Sequence, residues 1–307
     1  KGDDKEVTLW GRIVRFKEWG IEYEADPKHR KLIMERFGFD GTTRGLKSNG
    51  SKEEEEDDEV ELIGEEASQY RAVAARLNYL GQDSPDLMFP TKEACRGMAK
   101  PTVGDHRKLK RAAKYLVSRE AVVWRFEWQG EGQRLKVYTD SDWAGLHSAT
   151  GEVDSRSGGL ITLGDYPVDW WSQKQKSIAT SSADAESRAL GTGVSRGLEL
   201  QYVADELGIS TPTRLNAYTD ATAAIGFAKN NGGATRMRHI DVREGWVQQI
   251  RNRKNLSIHK IWGIDNPADF FTKIMAKTEF ARTSAKLNGT LQLKQLPKYL
   301  QKKTASI

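Results

Sequence analysis

Two short stretches of the chain have nearly the same letters, and both end in an aspartate. Leu135–Asp140 runs Leu-Lys-Val-Tyr-Thr-Asp, and Leu215–Asp220 runs Leu-Asn-Ala-Tyr-Thr-Asp. Alternating apolar and polar residues are typical of a strand with one buried face. If the two strands are parallel neighbours, Asp140 and Asp220 lie at the same edge of one sheet. Open α/β sheets bind their ligands at that edge.

A third acid, Glu186, belongs to a helix predicted over about 181–207. Its spacing puts it on the same stripe as Leu190, which must face the sheet. A carboxylate on such a stripe is costly unless a cation pairs with it. Asp184 lies instead on the polar side, where it can pair with Arg188 at i,i+4 spacing. The pattern therefore singles out Glu186 as the acid that needs a cation.

The fourth acid is Asp269, near the start of a final helix predicted over 266–275. One interpretation is a surface residue favoured by the helix dipole. The other follows from its position, because it comes after a strand and directly precedes Phe270-Phe271. A buried Phe pair would orient Asp269 toward the sheet edge.

Four carboxylates at one edge cannot all ionise without a cation. Carboxylate oxygens favour Mg²⁺ or Mn²⁺. Two such ions about 3.5–4 Å apart can activate water and stabilise the leaving oxygen of a phosphodiester. The sequence has no Cys/His cluster for zinc, no Gly-rich phosphate loop and no Gly-x-Ser-x-Gly motif. These absences disfavour a zinc enzyme, a nucleoside triphosphatase and a serine hydrolase.

Composition sets wider limits. The 307 residues carry a net charge of +5, with a pI near 9.1, which is weak evidence for a nucleic-acid partner. Basic residues cluster in 107–119, 236–254 and after 290, whereas acid concentrates in Glu53–Glu61. A single cysteine predicts a reducing, intracellular setting. No apolar run is long enough for a membrane span. Because the chain opens on Lys rather than Met, we expect a piece of a longer polypeptide.

The elements that must position the acids follow from periodicity and turn signals. Strands are predicted over 7–16 and 20–25, followed by a helix capped at Asp26-Pro27. After an acidic linker, helices are predicted from Ser68, over 91–99 after a Ser84-Pro85 break, and over 105–118. The last has a basic face, which is either solvated or directed at phosphates. The remaining elements form a mixed α/β layer with one sheet: strands 121–128, 134–139, 158–163, 167–173, 215–219 and 256–262, and helices 181–207, 221–229, 240–253 and 266–275.

Six motifs occur in order across about 135–275. They are Tyr138–Gly145, Ser157–Gly159, Trp171–Gln175, Ser181–Leu190, Arg238–Asp241 and Ala268–Lys273. Together they resemble the ribonuclease H domain of copia-type LTR retrotransposon polyproteins. Upstream, Tyr70–Val73, Leu77–Leu80, Ser84–Leu87 and Lys108–Leu116 resemble the end of the reverse transcriptase in the same polyproteins. The Tyr-x-Asp-Asp signature of the polymerase is absent, so we expect no polymerase activity.

The resemblance implies a ribonuclease-H-like α/β fold: a mixed five-stranded sheet with flanking helices, preceded by a helical reverse-transcriptase thumb or connection fragment. It implies endonucleolytic hydrolysis of the RNA strand of RNA–DNA hybrids by two Mg²⁺ ions, with Mn²⁺ as a substitute. By motif, Asp140, Glu186, Asp220 and Asp269 are the catalytic and metal-binding residues. The implied partners are the hybrid and the remainder of the Pol polyprotein, in the cytoplasm (as a virus-like particle) or in the nucleus.

Residues for hybrid binding are expected on both sides of the Glu186 helix, because a hybrid is held through both backbones. The candidates are Lys174, Gln175, Lys176 and Ser181 before the helix, and Arg236, Arg238 and His239 beside a Gly-rich loop at 230–234. Trp143, Trp170 and Trp171 could stack on nucleic acid or belong to the core. Two alternatives stay open. One is a catalytically inactive nucleic-acid-binding remnant of a retroelement, and the other is an integrase-type nuclease that attacks DNA.

The predicted domain organisation has five parts. Residues 1–47 form a partial reverse-transcriptase segment, 48–65 an acidic linker, and 66–120 the helical thumb or connection region. Residues 121–280 form the ribonuclease H domain, and 281–307 a basic C-terminal tail.

Overall fold

The computed structural model describes residues 5–40, 42–49, 59–119, 121–147, 153–209, 214–229, 242–253, 255–275, 277–287 and 291–293. These residues form two compact units. Unit 1 consists of the described residues of Lys1–Trp128, Ile274–Ala281 and Asn288–Ile307. Unit 2 consists of those of Gln129–Lys273 and Arg282–Leu287.

Unit 1 combines an antiparallel five-stranded sheet with helices. Its strands follow the order β1-β2-β3-β4-β10: β1 Glu6–Leu9, β2 Arg12–Lys17, β3 Gly20–Glu24, β4 Val122–Glu127 and β10 Leu291–Leu293. Its helices are α1 Pro27–Arg36, α2 Gly64–Gly81, α3 Pro85–Arg96 and α4 Val103–Val117. Helix α1 begins as predicted, since the Asp26 carboxylate accepts a 2.8 Å hydrogen bond from the Lys28 backbone.

Three features of unit 1 differ from the predicted elements. The strand expected over 7–16 is a hairpin, because Trp10 and Gly11 turn the chain with φ values of 48° and 82°. The helix predicted from about residue 91 begins instead at Pro85, because proline in the first turn of a helix loses no helical hydrogen bond. Strand β4, expected in the ribonuclease H domain, pairs with β3, so unit 2 begins at Gln129 rather than near 121.

Unit 2 is built on a mixed five-stranded sheet in the order β7-β6-β5-β8-β9. The strands are β5 Leu135–His147, β6 Val153–Leu163, β7 Tyr166–Lys174, β8 Leu215–Thr219 and β9 Leu256–Lys260. The first three are antiparallel, whereas β8 runs parallel to β5 and β9 parallel to β8. The flanking helices are α5 Ser182–Glu206, α6 Thr222–Lys229 and α7 Val242–Asn252; α8, Lys277–Leu287, is shared between the two units.

The two repeated stretches are neighbours in register. Val137 pairs with Ala217 and Tyr138 with Tyr218, in a parallel arrangement. Val137 and Ala217 are fully buried in a core that also contains Leu190 of α5. On the opposite face the rings of Tyr138 and Tyr218 stack at 4.9 Å. The strand order, the mixed directions and the flanking helices confirm the ribonuclease-H-like α/β fold that the resemblance implied.

The end of unit 2 is less regular than predicted. In place of a helix over 266–275 the chain forms two 3₁₀ turns, Gly263–Asp265 and Pro267–Phe271. The predicted Gly-rich loop at 230–234 and the first residues of the helix predicted from 240 lie outside the described residues. In the described part of the chain, no helix combines the length and apolar character needed to cross a bilayer.

Candidate metal centre

The parallel pairing of β5 with β8 brings Asp140 and Asp220 together. Tyr138 and Tyr218 are the last paired residues, so Asp140 within β5 and Asp220 directly after β8 each lie two residues past the same point. Asp140 is 4% exposed, and Asp220 is partly exposed. One carboxylate oxygen from each, with one from Glu186, lie within 4.8 Å of one another. The predicted convergence of these three acids is therefore present in the structure.

Helix α5 reaches the same edge because its backbone packs directly on β5. A methyl group at Gly193 would lie 2.4 Å from Thr139 Cγ2, so no larger residue fits at this crossing. The close approach brings the first turns of α5 to the middle of β5, where the Ser141 backbone N–H donates to Glu186 Oε1 at 3.3 Å. The other oxygen, Oε2, is buried and accepts no hydrogen bond from the described residues.

Asp269 is held at this edge by the second 3₁₀ turn. Asn266, 1% exposed, donates from Nδ2 to the Thr139 carbonyl at 2.9 Å. Its Oδ1 accepts from the Ala268 N–H at 3.1 Å, which caps the turn. Phe270 and Phe271 are buried, as predicted. The turn is thereby bonded to the residue of β5 that precedes Asp140.

Two further contacts define the surroundings of Asp269 and Asp140. Asp269 Oδ2 forms a 3.1 Å ion pair with Lys273 Nζ, while its Oδ1 is buried without a hydrogen bond from the described residues. The Thr272 hydroxyl donates to Asp140 Oδ2. A methyl group at Gly158 on β6 would lie 2.7 Å from Phe271 Cβ, so the close approach of this turn requires glycine there.

The acids disturb one another's ionisation. Burial raises the pKa of Asp140 well above its usual range, and the carboxylates of Asp269 and Glu186 raise it further. Burial also raises the pKa of Glu186 to about 7; the hydrogen bonds from Ser141 oppose this rise and Asp220 adds to it. The pKa of Asp269 is raised by burial against the opposing charge of Lys273. Burial is thus the largest cause of all three shifts, and neighbouring carboxylates add to each of them.

Asp184 behaves differently from the expectation in one respect. It pairs with Arg188 at 2.7 Å, as predicted, but it is fully buried rather than on an exposed polar face. Its carboxylate also accepts from the Thr180 backbone N–H at 2.9 Å. Burial alone would raise the pKa of Asp184, but the hydrogen bonds from Arg188 and Thr180 outweigh it and lower the pKa.

The residues expected to bind nucleic acid fall into three groups. Lys174 and Lys176 are exposed, and Lys174 forms an ion pair with Asp154. Ser181 caps α5 by accepting from the Asp184 N–H at 3.1 Å. Arg236, Arg238 and His239 lie outside the described residues.

The prediction for Gln175 is corrected by its burial. It is 7% exposed, and Nε2 donates to Ser157 Oγ and to the Ala185 carbonyl, each at 2.9 Å. The side chain therefore ties the start of α5 to β6 instead of facing a ligand. Among the tryptophans, Trp171 belongs to the core, whereas Trp143 is 47% exposed and donates from Nε1 to the Ala179 carbonyl at 3.0 Å.

The donor set fits a divalent cation. The acids supply only carboxylate oxygens, which are the ligands that Mg²⁺ and Mn²⁺ prefer. Buried oxygens of Glu186 and Asp269 have no hydrogen-bond donor among the described residues, and a buried oxygen of this kind is costly unless a cation satisfies it. Asp140, Glu186, Asp220 and Asp269 are the residues that could hold such ions.

Sequence reasoning assigned no role to Asn266 and Thr272, the two residues that connect the Asp269 turn to β5. The Asn266-Pro267 pair was a usable signal, because Asn is a preferred cap and Pro suits the first residue of a turn. No comparable signal marks the Thr272 hydroxyl, whose partner Asp140 is 132 residues away.

The chain is similar in sequence to parts of known polyproteins. No protein-family model matches the chain. The retrovirus-related Pol polyprotein from transposon RE2 of Arabidopsis thaliana is 30% identical over 223 residues, which is 72% of this chain and 15% of that polyprotein. The one from transposon TNT 1-94 of Nicotiana tabacum is 32% identical over 154 residues, 49% of this chain and 11% of the polyprotein. Among solved structures, LC11-RNase H1 in complex with RNA/DNA hybrid is 17% identical, with 45% of this chain and 93% of that chain covered and a TM-score of 0.32.

The strand order and the acid cluster define unit 2 as a ribonuclease-H-like α/β domain. Over about 72% of its length the chain is similar to a retrovirus-related Pol polyprotein from a plant transposon, in agreement with the resemblance found in its motifs. It spans about 15% of the length of the first of these relatives.

Proposed function

We propose that unit 2 hydrolyses the RNA strand of RNA–DNA hybrids as part of a retrotransposon Pol polyprotein, leaving 3′-hydroxyl and 5′-phosphate ends. The partners in this proposal are the hybrid and the remainder of the polyprotein. Because one fold hosts many functions, the proposal depends on the site and not on the sheet alone.

The observation that carries the proposal is the convergence of three acids from distant parts of the chain, Asp140, Glu186 and Asp220, with their carboxylate oxygens within 4.8 Å. Asp269 lies beside them with one buried oxygen that has no hydrogen bond from the described residues. Structural acids are normally matched by cations of the protein. This excess of carboxylate is instead what a pair of divalent ions requires.

In this proposal each residue has a distinct task. Asp140, Glu186, Asp220 and Asp269 hold the ions, and Asn266 and Thr272 keep Asp269 and Asp140 in position. When bound, Mg²⁺ neutralises charge on the phosphodiester and lowers the pKa of water. Lys273 limits the repulsion between the acids through its ion pair with Asp269. Lys174 and Lys176 supply positive charge for the backbones of the hybrid.

The test is cleavage of an end-labelled hybrid by the purified chain with Mg²⁺, with Mn²⁺, or with EDTA. We expect cleavage with either metal, none with EDTA, and at least about a thousandfold loss in Asp140→Asn, since the site loses a central ligand oxygen. Asp165→Asn, on the exposed turn after β6, is the matched control and should cleave normally.

Two controls separate the competing interpretations. A wild-type chain that binds the hybrid but does not cleave it with either metal would be a nucleic-acid-binding remnant. Cleavage of a DNA duplex of the same sequence, at the rate seen with the hybrid, would identify an integrase-type nuclease instead. Resolution of the labelled products against alkaline ladders identifies the ends that are left.

A further inference from the structure

Two large apolar side chains are exposed beside the acid cluster. Trp262 is 75% exposed and Ile264 is 58% exposed, on either side of Gly263. They follow β9 and belong to the first 3₁₀ turn. No ring contact or hydrogen bond joins the Trp262 side chain to another residue of the described chain. An exposed tryptophan is costly in water, and at a functional edge it indicates a surface that a ligand covers.

The backbone at Trp262 is firmly held. The Ile261 N–H donates to the Thr219 carbonyl at 3.1 Å, which continues the pairing of β9 with β8. The Asp265 N–H donates to the Trp262 carbonyl at 2.8 Å, and the Asn266 N–H to the Gly263 carbonyl at 3.1 Å. These bonds make the turn part of the scaffold that also carries Asp220 and Asp269. The indole is thus presented from a fixed base.

The turn lies directly against the acids. A methyl group at Gly263 would be 2.9 Å from Asp220 Oδ2. Consecutive Cα atoms are 3.8 Å apart, so the Cα of Trp262 lies within about 8 Å of that carboxylate. Lys260, two residues earlier, donates to the Asp220 carbonyl and, at 2.9 Å, to Thr222 Oγ1. A cation, an indole and four acids therefore share one end of the sheet.

We infer that Trp262 is a specificity-determining contact to the RNA strand: its ring packs on the ribose next to the scissile phosphate, and its Nε1–H donates to a 2′-hydroxyl. This inference rests on the proposed function. The indole has one donor and no acceptor, which suits a hydroxyl oxygen, and only RNA offers one at that place. A protein partner fits less well, because a chain that covered Trp262 would also close the edge at Asp220.

The experiment compares Trp262→Ala and Trp262→Phe with Trp10→Ala, which removes a tryptophan that is 86% exposed at the hairpin tip of unit 1. Binding is measured by fluorescence anisotropy in Ca²⁺ with an RNA–DNA hybrid and with a DNA duplex, and KM and kcat are measured in Mg²⁺. We expect Trp262→Ala to weaken hybrid binding and raise KM about tenfold, with little change in kcat or in DNA binding. Trp262→Phe should recover only part of the affinity for the hybrid, because its ring can still pack on the ribose but has no N–H to donate to the 2′-hydroxyl.

The outcomes distinguish the two hypotheses. If the wild type cleaves the hybrid and Trp262→Ala binds and cleaves like Trp10→Ala, the inference is overturned and the proposed function stands. The inference also fails if Trp262→Ala changes only the self-association or solubility of the chain, since that result marks a protein interface. If the wild type neither binds nor cleaves the hybrid, the proposed function fails first.

Discussion

Both units bury carboxylates, but they surround them differently. In unit 1, the Arg12 Nε–H is shared between the two carboxylate oxygens of Asp83 at 2.9 and 3.0 Å, and the Tyr23 hydroxyl donates to Asp83 at 2.7 Å. Asp86, 1% exposed, contacts Arg119 and the hydroxyls of Tyr115 and Ser84. In unit 2, Asp140 is equally buried, yet its neighbours are Thr272 and other acids.

This difference teaches that burial alone does not identify a functional acid. The charge of a buried carboxylate that pairs with an arginine is neutralised, and such a residue holds elements of the fold together. A group of buried carboxylates with one lysine among them keeps a net negative charge, which must be neutralised by cations that are not part of the protein. Asp184 makes the same point inside unit 2: it is buried two residues before Glu186, but Arg188 satisfies it.

The largest effect expected is on stability. Asp83→Asn removes the anion that faces the largely buried Arg12, so unit 1 should lose about 3–5 kcal/mol of unfolding free energy. Asp140→Asn, in EDTA, should leave unit 2 as stable as before or more stable, because it relieves repulsion. Hydrogen–deuterium exchange of peptides from α2 and α5 reports the two units separately. Equal losses in both variants would contradict the comparison.

The second effect is that Mg²⁺ and pH should act together on unit 2. The pKa of Glu186 is raised to about 7 from an ordinary 4.5, so between these values the folded state binds more protons than the unfolded state. Without metal, stability should therefore fall as pH rises through this window and then level off. At pH 8, Mg²⁺ at a hundred times its Kd should raise the unfolding free energy of unit 2 by about 2.7 kcal/mol. Thermal unfolding in EDTA and in Mg²⁺ measures the pH effect and the metal effect. If Mg²⁺ raised the Tm of Asp220→Asn as much as that of the wild type, the prediction would be wrong.

A smaller effect tests the positioning of Asp140. Thr272→Val removes the hydroxyl that donates to Asp140 Oδ2, and Mn²⁺ affinity should fall about tenfold, as is typical for residues that orient metal ligands. Thr272→Ser keeps the hydroxyl and should bind normally. Thr162→Val is the matched control, since Thr162 is also buried but its hydroxyl donates to the Gly164 carbonyl. Calorimetric titration with Mn²⁺ measures the affinity. If Thr162→Val lost as much affinity as Thr272→Val, the cause would be a general packing defect.

The smallest expected effect concerns the two exposed lysines that precede α5. Lys174 is already neutralised in part by Asp154, whereas Lys176 is exposed and forms no ion pair with the described residues. Lys176→Ala should therefore reduce the slope of log affinity against log salt for the hybrid by about 1, and Lys174→Ala by less. Lys31→Ala in unit 1 should leave the slope unchanged. The ranking is wrong if Lys174→Ala has the larger effect.

Much of unit 2 could be predicted because its signals are local and agree with one another. The alternation ending in Asp140 and Asp220 predicted two strands, and the parallel register confirms their pairing. The i,i+4 spacing correctly predicted that Asp184 pairs with Arg188, although Asp184 is buried rather than on the polar side. In each case the period of the element, two residues for a strand and 3.6 for a helix, determines which face a side chain occupies, whichever element packs against that face.

Other features depend on partners that are distant in sequence. Nothing near Gln175 indicates that the Ala185 carbonyl and Ser157 would enclose its amide. Strand β4 has an ordinary strand pattern, and only its pairing with β3 puts it in unit 1. The Asp269 turn is 3₁₀ rather than α because Asn266 is bound to β5, and that bond overrides the helical periodicity of the residues that follow.

The crossed order of strands in unit 2 has a consequence for how the protein matures. β5 and β8 are adjacent in the sheet, although β6, β7 and α5 separate them along the chain. Pairings of this range form late, after the intervening loops have closed. The ribosome must therefore have translated Asp269 before the four acids can meet. A chain that terminates before that point lacks Asp269 at this edge of the sheet. The four acids are in this way brought together only in chains that extend past Asp269.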